Sequence, residues 1–186
     1  MNSKEILKII SPVNHPVGLI GCHADQRNFD CCVYDIVIFD EKDEPESVIE
    51  NDGNFIKIHH RSLYENKVDV LIQLQNMQIL SDEQWDLKIF LAKIKERQEL
   101  IFNAFKKNCI IESQICLTKA RNGLNQLDPF VASWIKSAAY FLVDAIISLN
   151  NYCPSPSHML GILRNLKSNQ INETLSIILN SIGLER

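Results

Sequence analysis

Near residue 80 the apolar residues change their period, and no single kind of secondary structure accommodates both halves of the chain. From Val17 to about Leu74 they come in short β-branched runs, separated by turn formers such as Asp52-Gly53-Asn54. That texture suits strands, expected at 17–21, 33–39, 54–60 and 67–73, behind a helix at about 3–10. After Leu80 the spacing becomes helical and glycines are few. Ser81 and Gln84 have the spacing of a capping box, and Trp85, Ile89, Ala92, Ile94, Leu100, Ile101, Ala104 and Phe105 recur at three- and four-residue steps, which predicts one long helix or two. Asp128-Pro129 opens another helix, with an acidic N-cap and a proline in its first turn, ending near Asn150-Asn151. Pro154 and Pro156 then stop the chain, and 158–166 and 170–182 read as two shorter helices. The expected fold class is α+β: a mixed, mainly antiparallel sheet of about four strands in a domain at 1–80, followed by an all-α helical bundle at 81–186. Trp85 and Trp134 lie on helical stripes and are expected in a core or an interface.

At 186 residues, 46% apolar and 23% charged, the chain is long enough to bury a substantial core. A formal net charge of −4 provides no global basic footprint, which disfavours nucleic acid as a partner and makes any polyanion site local. The six cysteines form no CxxC framework and follow no basic-then-apolar leader, so a reducing cytoplasm is the expected compartment. The longest apolar stretch, Ala138 to Leu149, is interrupted by Asp144 and falls short of the roughly 20 residues of a membrane span, so no membrane association is expected. Apolar positions on the long helices are numerous for one small core, which predicts a homodimer or another protein partner held through the helical half.

The stretch from Val17 to Asp40 carries the chemistry. A strand ends in Gly21-Cys22, a polar loop follows, and a second strand bears Asp35 near its start. On a strand, residues two apart share a face, so a pair of acids at that spacing can share divalent cations. This order resembles the nucleotidyltransferase superfamily of DNA polymerase beta type, over residues 1 to about 75. In that family a glycine and serine turn precedes two aspartates one residue apart, and a third acid stands on a later strand. The resemblance implies a minimal nucleotidyltransferase-like domain with Gly21 and Cys22 as nucleotide-binding residues, a nucleoside triphosphate as ligand, and Asp35 and Asp69 as ligands of magnesium on neighbouring strands. It also implies degeneracy, because the second aspartate's position holds Val37. Asp40 lies an odd number of residues from Asp35 and faces the other side of a regular strand, and Asp30 lies in the loop before it. The helical ribonucleases of the HEPN type have an arginine and histidine pair that is missing here.

Other readings of the same residues are blander. Cys22, His23, Cys31, Cys32, His59 and His60 are all ligand types, but their spacing fits no known finger and zinc is not expected. Cys22 as a nucleophile needs His23 or His59 brought beside it as a base. His59-His60-Arg61 with Lys57 forms a basic run that reads as a solvated strand end, with a phosphate contact as the alternative. Three function classes follow: a nucleotide-binding or partner-binding subunit with an incomplete metal site, an active magnesium-dependent transferase acting on a small molecule, protein or RNA end, and a structural interaction module. Val37 favours the first.

Overall fold

The computed structural model describes residues 1–10, 14–25, 33–155 and 158–166. Its strands are β1 (Val17–Ile20), β2 (Tyr34–Ile38), β3 (Ser47–Asn51), β4 (Asn54–His60) and β5 (Gln78–Ser81). Its helices are α1 (Ser3–Ile9), α2 (Val68–Gln73), α3 (Asp86–Glu96), α4 (Gln98–Gln126), α5 (Val131–Leu149) and α6 (Met159–Asn165). The α+β class expected from the change of period is the one observed. The helix expected at 170–182, together with Arg27, Asp30, Cys31 and Cys32, lies outside the described residues.

The strands form one mixed sheet in the order β3-β4-β2-β1-β5. β2 and β4 run parallel, and the other three pairings are antiparallel. One face is apolar by strict alternation: Val17, Leu19, Ile36, Ile38, Ile56 and Ile58 pack with Ile6 and Ile10 at α1. Each buried isoleucine contributes about 2 kcal/mol of transfer free energy, so α1 is held mainly by this face. Its start is secured by Asn2 and Glu5, whose side chains each accept from the other's backbone N–H.

The run 67–73, expected as a strand, is the helix α2. Its alternating valines fit a strand, but Glu65 accepts from the Asn66 and Lys67 N–H groups at 2.9 and 2.8 Å, and Leu71 N–H then bonds to the Lys67 carbonyl at 2.9 Å. The edge of β1 is taken instead by β5, and β3 forms the opposite edge; neither is among the expected strands. β3 and β4 close through Asp52 (φ 49) and Gly53 (φ 75), two successive left-handed residues as in a type I′ hairpin.

α3 also starts differently. Ser81 ends β5, and Asp82 caps the helix from upstream, accepting from Leu87 N–H at 3.3 Å and Lys88 N–H at 2.9 Å. Trp85 takes a left-handed φ of 66 and is 60% exposed, with the Lys88 ammonium 4.0 Å from its ring centroid. It is therefore not a core residue, because its backbone lies before the helix and outside its stripe. Trp134 is half-buried under Lys119. Asp128 accepts from Phe130 N–H at 2.8 Å, and α5 begins at Val131, with Phe130 at its N-cap instead of Asp128.

The described chain divides into two compact units, Met1–Ile101 and Phe102–Arg186, with the boundary inside α4. In the second unit Val143, Ile146 and Ile147 of α5 pack with Leu163 and Leu166. The buried Ser113 hydroxyl donates to the Ala138 carbonyl at 2.9 Å and ties α4 to α5. By length and composition alone α5 could cross a membrane, yet Ala138, Val143, Ile146 and Ile147 are buried within its own unit.

Asp144 sits on this helix, and burial pushes its carboxyl up to about 6. A carboxyl raised above its unfolded value contributes stability below that value, near 4, and loses it as pH rises through the folded value. The second unit should lose on the order of 1 kcal/mol between about pH 4 and 7 from this group, after allowing for solvent screening. Asp144→Asn should flatten that slope and raise stability at neutral pH. Urea unfolding of both proteins across the range checks it, and an unchanged slope contradicts it.

Candidate functional site

β1 ends at Ile20, and the chain turns at Gly21, whose φ of 74 suits glycine. The turn closes when the Ala24 and Asp25 N–H groups both donate to the Gly21 carbonyl, at 3.1 and 3.2 Å. The antiparallel register sets Ile20 opposite Asp35, which brings the turn over that side chain. A Cβ at Gly21 would stand 3.1 Å from Asp35 Oδ2. The structure thus joins two of the expected site residues, Gly21 and Asp35. Cys22 follows in the turn and is half-buried.

The parallel register of β2 with β4 decides the rest, pairing Asp35 with Lys57 and Val37 with His59. All four belong to the face opposite the α1 core. Val37 is 1% exposed, and across β1 it faces Gly18, where a Cβ would collide with the Met77 thioether. Val37 is therefore closed in between Gly18 on β1 and His59 on β4. His59, expected at a solvated strand end, is 7% exposed. Its Nε2 lies 3.3 Å from Asp35 Oδ1 and its Nδ1 lies 2.8 Å from Glu46 Oε1. A ring with one proton donates to one of these carboxylates, and a ring with two donates to both.

Glu46 is held below the usual carboxylate range, first by its hydrogen bond with Lys57, against a smaller opposing effect of burial, and then by the charges of His59 and Lys57. The result is a chain of polar contacts, Asp35 to His59 to Glu46 to Lys57, with Arg61 3.9 Å from Glu46. His59 and Lys57 are visible in the sequence as a basic run, whereas Glu46 carries no local signal, because it precedes β3, which only the Asp52-Gly53 turn betrays.

Asp69 does not stand on a strand beside Asp35. It is exposed in the first turn of α2, and the strands flanking β2 are β4 and β1. Among the described residues no group of three or more His, Cys, Asp or Glu is arranged to hold a metal ion. The donor set explains why a two-metal arrangement does not fit: Val37 offers no oxygen, and Glu46 is engaged by Lys57 and His59. Asp40 does not join Asp35 either, since its carboxylate accepts from His60 Nδ1 at 2.9 Å.

No protein-family model and no curated protein matches this chain. Among solved structures it is similar to a nucleotidyltransferase-like protein from Exiguobacterium sibiricum 255-15, at 9% identity and a TM-score of 0.43, over 97% of this chain and 72% of that one.

The contact of the turn with Asp35 has a measurable cost. Gly21→Ala should destabilise the first unit by about 1–2 kcal/mol through the left-handed backbone, with a further loss from crowding Asp35. In an Asp35→Ala background the second part should vanish, so a double-mutant cycle by urea unfolding should show coupling. Additive losses would mean that the turn does not bear on Asp35.

Proposed function

We propose that this chain is a nucleotidyltransferase-like protein whose metal site is incomplete and that it serves as a nucleotide-binding or partner-binding subunit. The observation that carries this reading is the enclosure of Val37 at the second aspartate's place, with His59 beside it and bridging Asp35 to Glu46. Nucleotidyl transfer rests on positioning and on neutralising phosphate charge with paired metal ions. One strand carboxylate, already shared with an imidazole, does not support that pair. What remains is the glycine turn against Asp35, and beside it the cationic groups of Lys57 and Arg61 and the His59 imidazole. Such a site suits holding a polar ligand better than turning it over.

Calorimetric titration with ATP, GTP, CTP and UTP, each with and without magnesium, tests the reading. The expected result is binding of at least one nucleotide that does not depend on magnesium, with no consumption above background. Val37→Asp buries a carboxylate beside Asp35 and should destabilise the metal-free protein by about 3 kcal/mol, and added magnesium should restore part of that loss. Magnesium-dependent turnover at an ordinary enzymatic rate by the wild type would overturn the proposal in favour of an active transferase, and absence of binding to all four nucleotides would leave a partner-binding module.

A further inference from the structure

A concavity lies at the end of β2 opposite Asp35, where Phe39 and Asp40 leave the sheet, and neither Asp35 nor His59 lines it. It has a volume of about 490 Å³ and is formed wholly within the first unit, by the approach to β1, the end of β2 and one side of α3. That volume falls in the range of small-molecule sites. Part of its wall is apolar and aromatic: Phe39 and Phe90 meet edge to face with centroids 6.0 Å apart, and Pro16, Leu63 and Ile89 line the same space. Tyr64, 84% exposed, adds a ring at the surface.

Carboxylates outnumber lysines around this space, and the His15 imidazole lines it as well. Glu41, Glu83 and Asp86 line it, and none of them forms an ion pair among the described residues, while Lys93 is the lysine on the same wall. Asp40, by contrast, is already engaged by His60 and Lys42. Burial acts to raise its carboxyl, but the His60 hydrogen bond, the Lys42 N–H and the charges of both residues outweigh it and hold the carboxyl below its usual value. The N-terminus of α3 would attract an anion, but the Asp82 carboxylate already occupies its Leu87 and Lys88 N–H groups. Unpaired carboxylates beside aromatic rings form a field that favours a cation over a neutral or anionic molecule of the same shape.

We propose that the cleft between the end of β2 and α3 binds a small organic cation, an ammonium group carried on a flat apolar body. The ring enters against Phe39 and Phe90, and the ammonium stays at the wall that carries Glu83 and Asp86. This site is separate from the Asp35 end of the sheet and does not depend on the function proposed there.

Calorimetry at low ionic strength, with tyramine as the probe and 4-ethylphenol and 4-hydroxyphenylacetate as its neutral and anionic counterparts, tests it. Tyramine should bind saturably below about 10 mM, and the neutral and anionic molecules should bind at least about tenfold more weakly. The double variant Glu83→Gln, Asp86→Asn should weaken tyramine at least about tenfold while circular dichroism stays that of the wild type, because both residues are exposed. Glu83→Gln alone should produce part of the loss, and Asp35→Asn should produce none. No saturable tyramine binding, equal affinity for 4-ethylphenol, or an undiminished affinity in the folded variants would each overturn the proposal.

Discussion

The parallel pairing of β2 with β4 is the constraint on which the first unit depends. Its register sets Ile36 beside Ile58 on one face and Val37 beside His59 on the other. A slip of one residue would turn every side chain of β4 over, sending Lys57 and His59 into the α1 core and Ile56 and Ile58 to the polar face. The buried isoleucines therefore fix the polar constellation as firmly as they fix the core. The Asp35, His59 and Glu46 chain is a consequence of apolar packing on the reverse side of the same strands.

The two ends of β2 are chemically different because of what flanks them. At the start, the glycine turn after β1 presses on Asp35, and His59 links that carboxylate to Glu46. At the far end, His60 points to the other face and engages Asp40. Adjacent histidines on one strand thus serve separate carboxylates, His59 those of Asp35 and Glu46 and His60 that of Asp40, as the alternation of side chains demands. Burial of the rings, 9% and 10% exposed as side chains, takes both out of the solvated role that a basic run at a strand end implies.

Much of this was legible in the residues. β1, β2, β4 and α1 lie close to where alternation and β-branching placed them, and the distance from Gly21 to Asp35 is a matter of local sequence. Other elements were readable but missed. Asp52-Gly53 is a strong hairpin signal that requires an antiparallel strand on each side, so β4 implied β3. The run at 67–73 misled because a short, partly alternating apolar run is compatible with a strand and with a helical turn, and Glu65 settled it by capping the backbone before it. Trp85 was misplaced because its left-handed backbone lies outside the helical period that was applied to it.

The sequence by itself determined the change from strand to helix near residue 80, the turn at Gly21, and the fact that Val37 and Asp35 share a face, because these follow from backbone periods and local sterics. It could not determine which strand lies beside β2. That choice depends on non-local pairing, in which several short apolar runs compete on nearly equal local terms. Tertiary structure selected β4, and with it His59 and Lys57 in place of Asp69 as the neighbours of Asp35. It also closed Val37 in against Gly18 and brought Glu46, which carries no motif of its own, to the imidazole. The cleft at the other end of β2 belongs to the same class of fact, since its walls come from segments that meet only when the sheet and α3 are assembled.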